Sequence, residues 1–239
     1  MYFIFDGTSS KEFNIKIKKN GINNLSSPQR SYESKAINGR NGEILIDNLS
    51  YENFTLNIKC CIDARKTNII EVSRYLKKWL QTDLDYKKLI LSCEQDFYYE
   101  ATCINKLDIE KVFRNFGECV ISFSCKPYKR KANVSNIEMI KPSTINNNFM
   151  DSSMKLEIFG KGDMTLYFNN QTINLKDVAD KVIIDSEEYD CYTLDSNGIR
   201  TSFNHRMKGD FPILEEGINN INWVGKIDKL AIYPNWVVL

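Results

Sequence analysis

The sequence predicts a mainly β protein in two units: an N-terminal β-sandwich with one packed α-helix, then a second sandwich or jelly roll. Three observations carry this. Through most of the chain apolar residues alternate, the spacing that puts every second side chain on one face of a strand. A single segment repeats at helical spacing instead. Near residue 131 the charge balance reverses, from 22 Lys+Arg against 16 Asp+Glu to 10 against 15, a net of +6 followed by −5.

Length and composition fit that reading. A chain of 239 residues exceeds the usual ~100–150 of one domain and suits two. With 42% hydrophobic and 26% charged residues, only 11 Gly and 5 Pro, the composition is globular and excludes disordered and fibrous classes. A formal charge of +1 points to neither nucleic acid nor an acidic membrane surface. The opening run Met1-Tyr2-Phe3-Ile4-Phe5-Asp6-Gly7 is too short for a signal peptide's apolar region and lacks a basic flank. Without the ~18–20 apolar residues of a spanning helix, no membrane insertion is expected, and the protein is read as made in the cytoplasm.

In the first unit, residues 1–131, strands are read at 43–46, 54–62, 88–92, 98–104 and 117–125 from their β-branched and aromatic alternation. The helical segment is 67–81, where Ile69, Val72, Leu76, Trp79 and Leu80 form one stripe. Asn68 and Glu71 have the spacing of a capping box at its start. Arg74, Lys77 and Lys78 point away from the stripe; without interleaved aromatic residues they read as a solvated face rather than a nucleic-acid contact.

Lys126-Pro127-Tyr128-Lys129-Arg130-Lys131 closes the unit, and the polar stretch 132–148 reads as a linker. The second unit, 149–239, offers short strands at 155–159, 164–168, 171–175, 181–184, 190–194, 219–224 and 229–233 with no helix between them. Gly160-Lys161-Gly162 reads as a hairpin turn, and Asn197-Gly198 as a turn supplying positive φ angles.

No constellation for catalysis emerges. The single histidine, His205, lies in a loop-like stretch with no nucleophile elbow or reactive-cysteine signature elsewhere. The acids of Asp185-Ser186-Glu187-Glu188-Tyr189-Asp190 read as a hairpin, and Asp195-Ser196-Asn197-Gly198 fails the calcium-loop pattern because its first acidic ligand would be Thr193. Paired glycosidase carboxylates need not be close in sequence, and nothing positively supports them. Gly160-Lys161-Gly162 is only a fragment of a phosphate-binding loop. Seven cysteines, with no Cys-x-x-Cys pair, read as free thiols. Cys60 and Cys61 face opposite sides of one strand, while Cys119, Ile121, Phe123 and Cys125 share a core face. No metal or cofactor is expected. Among the tryptophans, Trp79 belongs to the helix stripe, and Trp236 is the one read as a partner contact.

Several short motifs remain. The run Gly209-Asp210-Phe211-Pro212-Ile213-Leu214-Glu215-Glu216-Gly217-Ile218-Asn219 is followed by Ile221-Asn222-Trp223 and Tyr233-Pro234-Asn235-Trp236. Upstream stand Phe5-Asp6-Gly7, Ser9-Ser10, Phe13-Asn14-Ile15, Gly39-Arg40-Asn41-Gly42, Tyr51-Glu52 and Ile184-Asp185-Ser186. In this order and spacing they resemble the distal tail protein (Dit) family of long-tailed phages, over both units.

The resemblance implies that the first unit assembles with five copies into a ring and that the second is a galectin-like jelly roll carried outside it. The implied function is structural. A hexameric hub would join the tail tube protein to tail-tip and receptor-binding proteins in the virion, with a channel through which DNA passes without specific binding. Gly39, Arg40 and Gly42 are the candidate ring contacts, the alternative being an intramolecular turn, and Trp236 the further interface candidate. A carbohydrate-binding module for cell-wall glycan is the competing reading, and a wall-degrading enzyme the third.

Overall fold

The computed structural model describes residues 1–22, 26–113 and 115–239. The chain divides into two compact units, Met1–Ala132 with Leu239, and Asn133–Val238.

The first unit contains β1 (Phe3–Phe5), β2 (Thr8–Ser9), β3 (Ile15–Ile17), β4 (Arg30–Ala36), β5 (Glu43–Tyr51), β6 (Phe54–Asp63), α1 (Ile69–Gln81), β7 (Lys87–Leu91), β8 (Glu94–Cys103), β9 (Glu110–Phe113) and β10 (Phe116–Lys131). Its main sheet runs β2-β1-β7-β8-β10-β6-β3, with β9 added on β10. Alternation places Leu56, Ile58, Cys60 and Ile62 of β6 in the core beside Cys119, Ile121, Phe123 and Cys125 of β10, all buried. Cys61 points the other way and is only half-buried.

Helix α1 covers this core with Val72, Leu76 and Leu80. Its Trp79 stacks on Phe3, ring centroids 5.6 Å apart, and donates from Nε1 to the Phe5 carbonyl at 3.2 Å, so the indole buries its area without losing its hydrogen bond. Asn68 caps the helix by accepting from the Ile70 N–H at 2.9 Å. The reciprocal capping box forms elsewhere, between Ser9 and Glu12 on the short 3₁₀ turn Ser10–Phe13.

The closing segment 126–131 continues β10 instead of ending it. A register shift between Cys125 and Lys129 lets the strand pass Pro127, which cannot donate to a ladder. Residues 132–148, read as a linker, hold β11 (Ile137–Met139) and β12 (Ser143–Asn147), both paired to the last long strand of the second unit.

That unit continues with β13 (Ser152–Phe168), β14 (Gln171–Val178), β15 (Lys181–Asp185), β16 (Asp190–Leu194), β17 (Arg200–Ser202), β18 (Met207–Lys208), β19 (Ile213–Leu214) and β20 (Gly217–Pro234). Its sheet follows β11-β20-β13-β15-β16-β17. Two features correct the sequence reading. Gly160-Lys161-Gly162 is no hairpin turn; it lies inside β13, a strand of 17 residues, and the segments 219–224 and 229–233 are likewise one strand, the 18-residue β20. The two strands pair along their length, with register shifts between Phe159 and Gly160 and between Lys161 and Met164.

The glycines at the shifts explain the bend. A Cβ on Gly160 would sit 2.2 Å from the Lys226 carbonyl oxygen, and one on Gly225 would sit 2.7 Å from that of Asp163. Backbones this close tolerate only glycine, so both strands curl here without breaking. In the β16–β17 turn only Gly198 takes positive φ (78°); Asn197 donates its N–H to the Asp195 carboxylate at 2.9 Å.

Candidate assembly surface

β4 and β5 form a two-stranded sheet that pairs with neither larger sheet among the described residues. Nearly every residue along it is exposed, including Leu45 (65%) and Leu49 (85%), with Tyr32, Ile37 and Ile46 beside them. An isolated hairpin is marginal in water, and one with apolar side chains along both strands is a surface built for contact.

The hairpin is held at its base. Arg30 donates from Nε to the Asp47 carboxylate at 3.0 Å and forms a second, ion-paired contact through Nη2. The hydrogen bond from Arg30 holds the Asp47 carboxyl below the usual carboxylate range. Asp47 also accepts from the Leu49 N–H at 3.0 Å. The register jumps here, Ser31 facing Ser50 but Tyr32 facing Asp47, so Asn48 and Leu49 bulge outward. Leu49 takes φ 53°, a conformation costing a leucine roughly 1–2 kcal/mol. Tyr51 meets Tyr128 of β10 edge-on at 5.8 Å, and the Glu52 N–H donates to the Gln29 carbonyl at 2.8 Å.

Gly39, Arg40 and Gly42 form the tip. Gly39 (φ 82°) and Gly42 (φ 83°) supply the left-handed conformations the loop needs, and the Arg40 N–H donates to the Ile37 carbonyl at 3.1 Å. The fourth candidate, Trp236, is only 9% exposed and packs against Phe149 at 5.8 Å in the core of the second unit. Little of the indole is therefore open in a single copy. Sequence reading places Leu45 in the strand 43–46 but does not single out Leu45 or Leu49 as exposed, because alternation alone does not say whether either face of a strand is covered.

The motifs behind the resemblance have structural roles. Ser186 donates to the Pro212 carbonyl at 2.6 Å, joining Ile184-Asp185-Ser186 to Phe211-Pro212. Asn219, buried, accepts from the Glu215 N–H at 2.9 Å and donates to the Glu215 carbonyl at 2.8 Å, which locks the turn before β20. These are buried polar latches whose spacing is set by the turns they close. His205 is exposed on a 3₁₀ turn beside Phe203, ring centroids 6.2 Å apart.

Residues 8–125 match the family model described as the phage tail protein RIFT-related domain. In structure the whole chain aligns with SPP1 Dit (gp 19.1), described as a paradigm of the hub adsorption apparatus in phages infecting Gram-positive bacteria. The alignment has a TM-score of 0.77 and 12% sequence identity, and covers 100% of this chain and 99% of that one. The chain is thus similar to phage tail proteins, to their family model over residues 8–125 and to SPP1 Dit in fold. At 12% identity the structural likeness speaks for the fold, while the family model speaks for the first unit. No curated protein matches the sequence. Among the described residues no group of three or more His, Cys, Asp or Glu side chains is placed to hold a metal ion.

Proposed function

We propose that this protein is the distal tail hub of a long-tailed phage, a virion component synthesised in the bacterial cytoplasm. The first unit, 1–131, forms a homohexameric ring at the end of the tail tube, and DNA passes through its channel without specific binding. The tail tube protein docks on one side, and tail-tip, baseplate and receptor-binding proteins on the other. The second unit, 149–239, is a galectin-like jelly roll carried by the ring.

The observation that carries this reading is the β4–β5 hairpin, ordered by Arg30–Asp47 yet exposed along both strands with Leu45 and Leu49 outward. A cyclic ring needs a surface on each copy that meets a different surface on the next, and a projecting arm is such a surface. Gly39, Arg40 and Gly42 at its tip are assigned to that contact. Light scattering over a range of concentrations, with negative-stain imaging, tests it. Six copies of the 27.8 kDa chain give about 167 kDa and a central hole. A monomer at every concentration would sink the autonomous ring.

A second reading has one observation in its favour. On the sheet of the second unit, Lys155, Glu157, Asp185, Glu187, Tyr233 and Asn235 line an open cleft of about 330 Å³. Tyr233 is 40% exposed there, and Asn235 donates to Glu187 at 2.9 Å. An aromatic face beside planar polar groups suits a sugar ring, so this cleft is where a carbohydrate-binding module would work. Binding to cell-wall glycans that is lost in Tyr233→Ala would support it; no binding on a glycan screen would remove it.

A further inference from the structure

Apart from the hairpin, the first unit carries an unclaimed slot of about 200 Å³ between α1 and the 3₁₀ turn Ser10–Phe13. Phe13, Val72 and Tyr75 form its apolar walls, and Glu12 and Glu71 line it with carboxylates. Tyr75 is 60% exposed and stacks on Phe13, centroids 6.5 Å apart, and Phe13 is backed by Trp79 at 5.0 Å. Glu12 is fixed in place by the Ser9 N–H, which donates to its Oε1 at 3.1 Å. No basic residue lines the slot, and neither carboxylate forms an ion pair among the described residues.

Elsewhere in the chain the same combination of ring and carboxylate holds an arginine. Arg30 lies over Tyr51 at 5.9 Å and donates to Asp47 at 3.0 Å. Arg65 lies over Phe116 at 5.4 Å and donates to Asp63 at 2.7 Å. Arg200 lies over Tyr192 at 3.8 Å and donates to Glu188 at 2.7 Å. A guanidinium satisfies both partners at once, because its positive charge is drawn to the face of the ring while its N–H fork meets carboxylate oxygens.

At the Phe13–Tyr75 slot the rings and carboxylates meet with no cation of this chain over them among the described residues. Lys11 and Arg65, close to it in sequence, are held elsewhere, Lys11 over the Tyr2 ring at 3.7 Å and Arg65 by Asp63. The partial positive charge of the α1 N-terminus, about half a unit, offsets only part of the two carboxylates. Charge complementarity therefore calls for a cation from outside.

We propose that the slot receives an arginine side chain of a partner protein, its guanidinium over the Tyr75 ring and its N–H groups on Glu71 and Glu12. Ile70, beside Glu71 on α1 and 57% exposed, offers apolar surface to the residues flanking that arginine, surface that a free cation cannot use. The site lies within one copy and is independent of the ring proposed above.

The test uses the full chain with ¹³C-labelled tyrosine and the peptide Ac-Ala-Arg-Ala-NH2, beside the same peptide carrying lysine or citrulline, the uncharged isostere of arginine. The Tyr75 ring signal, assigned by its loss in Tyr75→Phe, shifts saturably with the arginine peptide at a Kd on the order of 1 mM. The citrulline peptide leaves it in place and the lysine peptide binds more weakly. Glu71→Gln weakens the arginine peptide about three- to fivefold with circular dichroism unchanged. Glu12→Gln does the same, since glutamine keeps the capping box. No saturable shift up to ~10 mM peptide overturns the site. So does a shift that citrulline reproduces or that both glutamine variants leave unchanged. Equal binding of the lysine peptide, or tighter binding of choline, overturns the arginine assignment and makes the slot a general cation site.

Discussion

Gly160→Ala is the substitution that most sharply tests how the second unit is built. The added methyl would lie 2.2 Å from the Lys226 carbonyl oxygen and 3.0 Å from the Ile227 Cα, both backbone atoms that no rotamer change can move. An ordinary carbon–oxygen contact is ~3.3 Å or more, so β13 and β20 must part by about 1 Å at the bend. Overpacking of this kind costs roughly 1–3 kcal/mol and more where backbone pairing is lost, while removing a strand glycine returns about 0.5–1 kcal/mol. The expected net loss is about 2–3 kcal/mol, a large part of the ~5–15 kcal/mol that holds a domain of this size.

The assay is urea unfolding followed by tryptophan fluorescence in a Trp79→Phe background, where Trp223 and Trp236 report on the second unit alone. The midpoint should fall with m unchanged, and the melting temperature should drop by on the order of 10–20 °C. Lys161→Ala, one residue away and exposed, should stay within about 0.5 kcal/mol. A Gly160→Ala protein as stable as Lys161→Ala would refute the close-approach account of the bend.

Three further outcomes follow from the same structure. Asn219→Ala strips the Glu215 N–H and carbonyl of their buried partner and should cost about 2–4 kcal/mol in the same fluorescence assay. Acid should loosen the hairpin: the folded Asp47 carboxyl lies below its unfolded value, so its contribution is present above about pH 4 and is lost as pH falls through the folded value. The protection factor of the Leu49 amide, its exchange corrected for the intrinsic pH dependence, should fall there and stay flat between pH 5 and 8. Thiol titration at pH 8 should modify exposed Cys93 first and leave Cys125 and Cys191, which burial pushes up to about 12, unreacted until the protein unfolds.

The sequence by itself determined the elements whose residues share one periodic environment. The β6 and β10 faces, the α1 stripe and the reversed charge of the two parts were legible because burial on one side imposes a period of 2.0 or 3.6 on the side chains. It did not determine where strands are continuous. Glycine marks both a turn and a bend, and only the partner backbone at Gly160 and Gly225 distinguishes them, so two strands were read as four and paired strands in 132–148 as a linker.

The candidate surface divides in the same way. The glycine-bracketed tip at Gly39, Arg40 and Gly42 was visible because positive φ restricts residue type. Whether a tryptophan or leucine faces outward depends on what packs over it, and tertiary structure alone buried Trp236 against Phe149 and left Leu49 in the open. Local sequence sets the conformations a residue tolerates, and neighbours brought from far along the chain set its exposure.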